Sequence, residues 1–356
     1  MPTEEQVRSA LSRVMDPELG KNIVELGMVR DVVIDDNRVT FSLALTTMAC
    51  PLRQRLADEA KAAVEALEPG LAVNVNLTEM SEEDRRRLFG AREPGPTIAQ
   101  EVSSVERVVA VMSGKGGVGK SSVAALLAVA LRRRGLRIGL LDADITGPSI
   151  PRMFGVHRPP RMGPFGLMPA ETSTGIKVIS INLLLPSEDE AVVWRGPLIS
   201  GAIRQFWTDV VWGVLDLLIV DLPPGTSDPA LTVMQSIPLN GVVLVTSPQD
   251  LAGMVVRKGA QLANALRVPI IGLVENMSYV LCPQCAHKVE VFGPSQAGRT
   301  AAALGVPLLG SLPLDPEMAS RADRGEIEQY PAEAFAPLAD AVWERIPATK
   351  CTPAFG

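Results

Sequence analysis

The sequence predicts an α/β protein with a mostly parallel sheet covered by helices on both faces, preceded by a small α+β domain. From residue 105 onward, short continuous apolar runs alternate with helical stretches, a pattern typical of parallel strands buried on both faces. Before residue 80, apolar and polar residues alternate singly, as in half-buried strands. Between the two patterns lies a charged and then Pro/Gly-rich segment, residues 81–104, which we interpret as a linker.

Residues 1–80 therefore form the first predicted domain. Thr3 and Gln6 fit a capping box at the start of a helix. Pro51 suits the first turn of a second helix, whose apolar residues recur on one side. The remaining pattern predicts strands at 28–34, 39–45 and 71–77.

Residues 105–347 form the second predicted domain, and residues 348–356 form a short tail. A helical stretch is expected over 121–134, directly after the first apolar run. Strands buried on both faces are expected at 108–112, 138–141, 217–220, 242–245 and 270–274.

The composition argues against several classes of protein. The chain has 34 Lys and Arg against 40 Asp and Glu, a net charge of −6, which does not suit a dedicated nucleic-acid binder. No apolar run approaches the ~18 residues of a membrane span, and the acidic residues 1–5 do not lead into the apolar core of a secretory signal. We therefore expect a cytoplasmic protein with neither a nucleic acid nor a membrane as partner.

A phosphate-binding motif is the strongest signal in the chain. Residues 114–121 match G-x-x-x-x-G-K-[ST] and lie between a predicted strand and a predicted helix. Glycines let the backbone N–H groups and the helix N-terminus approach phosphates closely. Lys120 should reach the β- and γ-phosphates, and the Ser121 hydroxyl should bind Mg²⁺. The predicted nucleotide contacts are Gly114, Lys115, Gly116, Gly117, Val118, Gly119, Lys120, Ser121 and Ser122.

Acidic residues follow two of the other predicted strands. Asp221 ends an apolar strand, as does the aspartate on the Mg²⁺ side of P-loop NTPases, and the rigid stretch 223–225 (Pro-Pro-Gly) could sense the γ-phosphate. Asp142 and Asp144 end another strand. A single strand-end aspartate is usually only a cap, but in combination with the loop these acids predict a nucleotide site.

Lys115, near the start of the loop, is not needed by the ordinary motif. It resembles the second lysine of the "deviant Walker A" loop in the ParA/MinD class of ATPases. The resemblance implies that Lys115 crosses a dimer interface to the partner's nucleotide, that Asp144 orients the attacking water, and that Asp142 lies nearer the metal. The implied catalytic set is Lys115, Lys120, Asp144 and Asp221.

The base is expected to be adenine. A GTPase would usually carry N-K-x-D after a late strand, whereas residues 276–279 read Asn-Met-Ser-Tyr and place no aspartate to pair with guanine. Asn276 is a candidate adenine contact. Pro313 and Asp315 resemble the later base-side loop of the same class, so ATP is the expected nucleotide.

Cys282 and Cys285 have the spacing of metal ligands. Three interpretations compete: a thioredoxin-like redox pair, a zinc site within one chain that recruits His287, and a site shared by two copies across a two-fold axis. Four thiolates suit either Zn²⁺ or an iron–sulfur cluster, and spacing does not separate them. The remaining cysteines are Cys50 and Cys351.

The second domain resembles the Mrp/ApbC family of iron–sulfur cluster carriers. The resemblance implies a homodimer whose two cysteine pairs hold a labile bridging [4Fe–4S] cluster, received from an upstream scaffold and passed to apo-proteins with slow ATP hydrolysis. The matching stretches are 113–121, 142–149, 194–197, 221–228, 276–285 and 292–293.

The first domain resembles the small PaaD-like and SufT-like iron–sulfur maturation domains, through residues 16–18, 24–27 and 46–51. Cys50 in the last stretch is either a reactive thiol at a helix start or a small buried residue.

Two other functions remain open from the sequence. A ParA/MinD-type positioning ATPase, with structural zinc at the dimer interface, would carry a basic surface or an amphipathic basic tail. Residues 348–353 have neither. A metal-inserting GTPase is disfavoured by the missing N-K-x-D and by the presence of only two histidines.

Overall fold

The computed structural model describes residues 2–15, 22–35, 38–45, 53–68, 70–80, 97–145, 147–185, 196–226, 228–331 and 333–347. The chain divides into two compact units, Met1–Pro94 and Gly95–Gly356.

The first unit is a small α+β domain. The Thr3 hydroxyl oxygen accepts from the Gln6 backbone N–H, and Gln6 Oε1 accepts from the Thr3 backbone N–H. The expected capping box therefore forms. Strand pairing is antiparallel between β1 and β2 and parallel between β2 and β3, with Phe41 and Leu43 fully buried. The elements are α1 (Glu4–Leu11), β1 (Val29–Asp35), β2 (Arg38–Leu45), α2 (Arg53–Glu65) and β3 (Ala72–Glu79).

The second unit alternates strands and helices. Its first half contains α3 (Ile98–Glu101), β4 (Ser104–Ser113), α4 (Lys120–Arg133), β5 (Ile138–Asp142), α5 (Ile150–Met153), β6 (Arg161–Gly163), β7 (Gly166–Met168), β8 (Ala170–Glu171) and β9 (Lys177–Ser180). Its second half contains α6 (Gly196–Thr208), β10 (Val214–Asp221), α7 (Asp228–Ser236), β11 (Gly241–Thr246), α8 (Asp250–Ala265), β12 (Ile270–Leu281), β13 (Lys288–Val289), α9 (Ala297–Leu304), β14 (Leu308–Pro313), α10 (Pro316–Asp323) and α11 (Ala336–Arg345).

The main sheet has the spatial order β14-β12-β11-β4-β10-β5-β9-β8. Every neighbouring pair from β14 to β9 is parallel, and β8 is antiparallel to β9. The far end of β12 also pairs with the short antiparallel strand β13. The predicted mostly parallel sheet is confirmed.

Both faces of this sheet are buried, because successive side chains of a strand point to opposite faces. Along β4, Val109 and Val111 enter one apolar core, and Val108, Ala110 and Met112 enter the other. Helices α4 and α11 cover the first face, and α6, α7 and α8 cover the second. This two-sided burial explains the continuous apolar run in the sequence.

The end of the expected linker has regular structure. Thr97 and Gln100 form a capping box for α3, and the Thr97 hydroxyl also donates to the Thr208 carbonyl oxygen. Strand β4 begins at Ser104, four residues before the strand predicted at 108–112. Thr97 and Gln100 have the spacing of a capping box, which predicts a helix start. The Pro/Gly-rich composition of the segment led us to expect a linker instead.

Residues 276–279, which follow the strand predicted at 270–274, belong to that same strand, β12. Polar residues enter this strand because their side chains are bonded internally. Asn276 is 3 % exposed and donates to a backbone carbonyl oxygen, and Ser278 is 4 % exposed and bonds to Glu275. The strand therefore continues to Leu281.

None of the helices in the described part of the chain is both long and apolar enough to span a bilayer.

Candidate functional site

The predicted site residues meet at the carboxyl edge of the main sheet. Strand β10 lies between β4 and β5, and its last residue, Asp221, is in register with Val111 on one side and Asp142 on the other. The loop 114–119 leaves β4 at the same edge. Parallel neighbours end together, so motifs far apart in sequence become adjacent.

The loop 114–119 wraps closely against its surroundings. Gly117 and Gly119 have φ of 79° and 75°, in the left-handed region that glycine tolerates best. A Cβ on Gly114 would lie 2.6 Å from the backbone nitrogen of Val256, so only glycine fits there. Helix α4 begins at Lys120, and its first N–H groups have no intrahelical acceptor, which suits an anion.

Lys120, Ser121 and Asp221 form one bonded group beside this loop. Lys120 Nζ donates to Asp221 Oδ1 at 2.5 Å, and Ser121 Oγ donates to Asp221 Oδ2 at 2.5 Å. Lys120 is 6 % exposed and Asp221 is fully buried. Burial raises the pKa of Asp221 above its ordinary value, and the positive charge of Lys120 opposes that rise. The hydroxyl and carboxylate oxygens are the hard donors that Mg²⁺ prefers.

Asp142 holds the chain that follows β5. Its Oδ1 accepts from the Asp144 backbone N–H at 3.2 Å, and its Oδ2 accepts from the Ser149 and Ile150 backbone N–H groups at 3.1 and 3.2 Å. The Ser180 hydroxyl also donates to Oδ2 at 3.2 Å. Burial, and then the negative charge of Asp221, raise the pKa of Asp142 to about 7. Asp142 thus orients the half-buried residue Asp144.

Lys115 has a partner that the sequence did not indicate. Its Nζ donates to Oε1 of Gln249, the residue directly before α8. The Gly225 backbone N–H donates to the Ser113 carbonyl oxygen at 2.9 Å, which ties the predicted γ-phosphate segment to the start of the loop. A single glutamine after a strand carries no motif, so Gln249 could not be found from the sequence.

The predicted base contacts line one narrow cleft, which we call the base-side cleft. Ser122, Asn276, Pro313 and Asp315 all face it, together with Tyr330. Asn276 is already engaged, because its Nδ2 donates to the Val118 carbonyl oxygen at 3.0 Å.

Asp315 also has partners within the chain. It caps α10 by accepting from the Glu317 backbone N–H at 2.9 Å, and it accepts from the Tyr330 hydroxyl at 2.6 Å. Burial, with this hydrogen bond, raises the pKa of Tyr330. Tyr330 belongs to the cleft without any sequence motif that marks it.

Cys282 and Cys285 lie in the turn between β12 and β13. The Cys282 backbone N–H donates to the His287 carbonyl oxygen at 2.9 Å, and the Ala286 N–H donates to the Cys282 carbonyl oxygen at 2.8 Å. Backbone N–H groups of Gln284 and Cys285 point at the Cys282 thiol and hold its pKa below the ordinary value. Such a turn favours the thiolate, which is the metal-binding form of cysteine.

The cysteine turn is open to solvent and has an apolar rim. Cys282 is half-buried and Cys285 is exposed. Within the described ranges, no group of three or more His, Cys, Asp and Glu residues could hold a metal ion. The pair thus supplies two thiols without a third ligand from the described residues. The exposed apolar side chains nearby in sequence are Leu281, Val289, Val291 and Phe292.

Some predicted features lie outside the described residues. They are Cys50, the stretches 16–18, 46–51 and 194–195, residues 81–96 of the predicted linker, and the predicted tail 348–356 with Cys351.

A glycine loop followed by a lysine–serine pair, with a strand-end aspartate bonded to both, defines a P-loop nucleoside triphosphatase. The chain belongs to the ParA family described as NUBPL iron-transfer P-loop NTPase, whose model matches residues 104–346. A second family model, described as iron-sulfur cluster assembly protein, matches residues 4–77. Both resemblances inferred from motifs are confirmed.

Relatives agree with this assignment. A protein from Synechocystis sp. named iron-sulfur cluster carrier protein is 40 % identical over 354 residues, 97 % of each chain. One of the same name from Methanocaldococcus jannaschii is 48 % identical over 230 residues, 64 % of this chain and 79 % of the relative. A nucleotide-binding protein from Archaeoglobus fulgidus, solved in complex with ADP and with cobalt, is 42 % identical, with a TM-score of 0.59 over 65 % of this chain and 91 % of that one.

Asp221→Ala should destabilise the second unit strongly, because it leaves the Lys120 charge buried without its partner. We expect a loss of about 3–5 kcal/mol in the free energy of unfolding. Glu317→Ala, which breaks the more exposed i,i+4 pair with Arg321, should cost less than about 1 kcal/mol. Urea unfolding followed by tryptophan fluorescence measures both, since all four tryptophans lie in residues 194–343. Equal losses would contradict the buried pair.

Asp142 should make the protein less stable as the pH rises from about 4 to 7. Its folded-state pKa of about 7 exceeds its ordinary value of 3.8, so the folded state binds the extra proton in this window. Asp142→Asn should flatten this dependence in urea unfolding at pH 5 and pH 7.5. Asp216→Asn is the control: its hydrogen bonds from Arg137 lower the pKa of Asp216, which therefore titrates below the window. An unchanged slope in Asp142→Asn would refute the assignment.

Proposed function

We propose that this protein is an ATP-dependent carrier of iron–sulfur clusters. Two copies form a homodimer in which Cys282 and Cys285 of each subunit hold a bridging, labile [4Fe–4S] cluster as cargo. ATP binding and slow hydrolysis switch the dimer between holding and releasing the cluster. The observation that carries the proposal is the open cysteine turn, which favours thiolates yet offers only half of a four-thiolate site.

Symmetry supplies the other half. A two-fold axis that brings two such turns together makes four thiolates from one repeated pair, and four thiolates are the usual ligand set of a [4Fe–4S] cluster. The exposed apolar residues Leu281, Val289, Val291 and Phe292 suit burial between two subunits. The relatives named as iron-sulfur cluster carriers support this cargo over structural zinc.

The nucleotide site fits ATP. The Lys120 ammonium can give up its hydrogen bond to Asp221 and donate to phosphate oxygens instead. The start of helix α4 supplies further backbone N–H donors. Ser121 and Asp221 would hold Mg²⁺, which neutralises phosphate charge when bound. Asp144 orients the attacking water, and Lys115 acts across the dimer. The relative solved with ADP supports an adenine nucleotide in the base-side cleft.

The proposed partners follow from the cargo. An upstream scaffold supplies the cluster, and apo iron–sulfur proteins receive it in the cytoplasm, without a nucleic acid or a membrane. The first unit, matched by the assembly-protein model, is the natural candidate to contact those partners. Residues 1–80 and 105–347 are the proposed domains, and residues 97–104 of the segment between them belong to the second unit.

Anaerobic reconstitution with iron and sulfide tests the cargo. The wild-type chain should retain about four irons and four sulfides per dimer, with the brown colour of a cluster. Cys282→Ala and Cys285→Ala should each lose it, because each subunit then offers a single thiolate and the dimer offers only two of the four. The Cys351→Ala variant, which removes a cysteine outside the pair, should retain the cluster.

A colourless wild-type protein that binds only zinc would overturn the carrier and favour the positioning ATPase. A cluster retained in both Cys282→Ala and Cys285→Ala would overturn the ligand assignment.

The two loop lysines should separate nucleotide binding from hydrolysis. Lys120→Gln should lower ATPase activity by about 100-fold or more and also weaken nucleotide binding, since Lys120 contacts the phosphates directly. Lys115→Ala should lower the turnover by a similar factor while each subunit still binds nucleotide. The control Lys61→Ala, which removes an exposed lysine of the first unit, should bind and hydrolyse ATP as the wild-type protein does. Lys120→Gln and Lys115→Ala should both still assemble the cluster. Persistent hydrolysis in Lys120→Gln would contradict the assigned site.

A further inference from the structure

The nucleotide loop and the cysteine turn are far apart but are joined by one strand. Asn276, in the middle of β12, touches the loop, and Cys282 follows the last residue of the same strand. Asn276 and Cys282 are six residues apart, a span of at most about 20 Å, and the strand meets the nucleotide loop at Asn276. Any influence of nucleotide on the thiols must therefore pass through intervening residues.

Loop and strand are in tight contact where they meet. The Asn276 side chain is buried, and its Nδ2 donates to the Val118 carbonyl oxygen of the loop at 3.0 Å. A Cβ on Gly119 would overlap Asn276 Nδ2 and lie 3.3 Å from Met277 Cε. A rearrangement of residues 118–119 must therefore either move Asn276 or break its hydrogen bond.

The strand is irregular at this same point. Its register against β14 shifts between Glu275 and Tyr279, and Met277 has φ of 59°, a left-handed conformation that a non-glycine residue rarely adopts. Ser278 Oγ donates to the Glu275 carbonyl oxygen at 3.1 Å and to Glu275 Oε2 at 2.8 Å. Irregular, strained segments of this kind persist where their surroundings hold them.

Glu275 adds an unsatisfied polar atom to this segment. The residue is fully buried, yet its Oε1 has no hydrogen-bond partner among the described residues. Buried polar atoms are nearly always bonded, so an orphaned carboxylate oxygen is costly. A shift of residues 275–279 that gave Oε1 a donor would recover that cost.

Beyond the irregular segment, the strand is attached to both functional regions. The Tyr279 carbonyl oxygen accepts from the Leu314 N–H at 2.7 Å, in the segment that lines the base-side cleft. Lys288 Nζ lies 4.4 Å from the centre of the Tyr279 ring, within the cysteine hairpin. Val280 then pairs with Val289. Movement of Tyr279 is thus transmitted to the strand that carries Cys282.

We propose that Asn276 and Ser278 are positioning residues that transmit the state of the nucleotide loop to the cysteine turn. Asn276 senses the loop through Val118, and the bonds of Ser278 to Glu275 set the shape of the irregular segment. The cysteine turn then takes up one geometry with ATP bound and another after hydrolysis. This inference rests on the proposed function, because it supplies the link between hydrolysis and cluster release.

Hydrogen–deuterium exchange of the full chain tests the link without any cluster. Adding Mg²⁺ and a non-hydrolysable ATP analogue to the wild-type protein should change exchange of residues 280–289 by about fivefold or more. Asn276→Asp, isosteric but without the donor, should reduce the change to less than about twofold at saturating analogue.

Ser278→Ala should also reduce the change in exchange to less than about twofold. In this variant the contact between Asn276 and the loop remains. Ser200→Ala, which removes a half-buried hydroxyl bonded to Thr232 at 2.9 Å, is the matched control and should respond as wild type. In Asn276→Asp and Ser278→Ala, cluster content should stay at the wild-type level while the stimulation of cluster transfer by ATP disappears, and Ser200→Ala should keep both.

A wild-type hairpin that ignores the nucleotide would overturn the inference, as would variants that respond fully. The second result would mean that dimer contacts alone protect the hairpin. If Asn276→Asp does not fold, the wild-type protein and Ser278→Ala decide. A hairpin that responds in a protein that never holds iron would refute the proposed function but leave the link intact.

Discussion

The buried contact between Lys120 and Asp221 is the interaction on which the nucleotide site depends. It joins the first residue of α4 to the last residue of β10, so it fixes how the helix start sits over the sheet edge. Two buried charges are tolerable only because they neutralise each other and because Ser121 satisfies the remaining carboxylate oxygen. The loop 114–119 must then span a set distance between β4 and α4, which its glycines allow.

The same contact governs the neighbouring acid. Asp142 lies beside Asp221 in the sheet, and two adjacent buried carboxylates repel each other. Four donors converge on Asp142, three of them backbone N–H groups of the chain after β5. These four hydrogen bonds offset the cost of burying the Asp142 carboxylate. They also order the segment that carries Asp144. Charge and loop geometry are coupled at this edge of the sheet.

The sequence was most informative where local chemistry and parallel strands act together. Strand-end acids could be assigned to one site because parallel strands end at one edge, and buried strands reveal themselves by continuous apolar runs. The predicted strand ended at residue 274, before Asn276 and Ser278, because polar residues in a buried strand are recognisable only once their partners are known. Gln249 and Tyr330 could not be assigned from the sequence, because their partners Lys115 and Asp315 lie elsewhere in the chain, and Glu275 belongs to no motif.

The cysteine turn differs from the nucleotide site in how firmly the fold holds it. Strand β13 pairs with β12 through only two residue pairs, and residues 282–292 belong to neither of the two apolar cores of the sheet. Opening such a hairpin exposes little apolar surface, so its local unfolding free energy is a small fraction of that of the whole domain. The thiols can therefore rearrange on a faster timescale than the sheet, and the geometry around Cys282 and Cys285 is adjustable without loss of the fold.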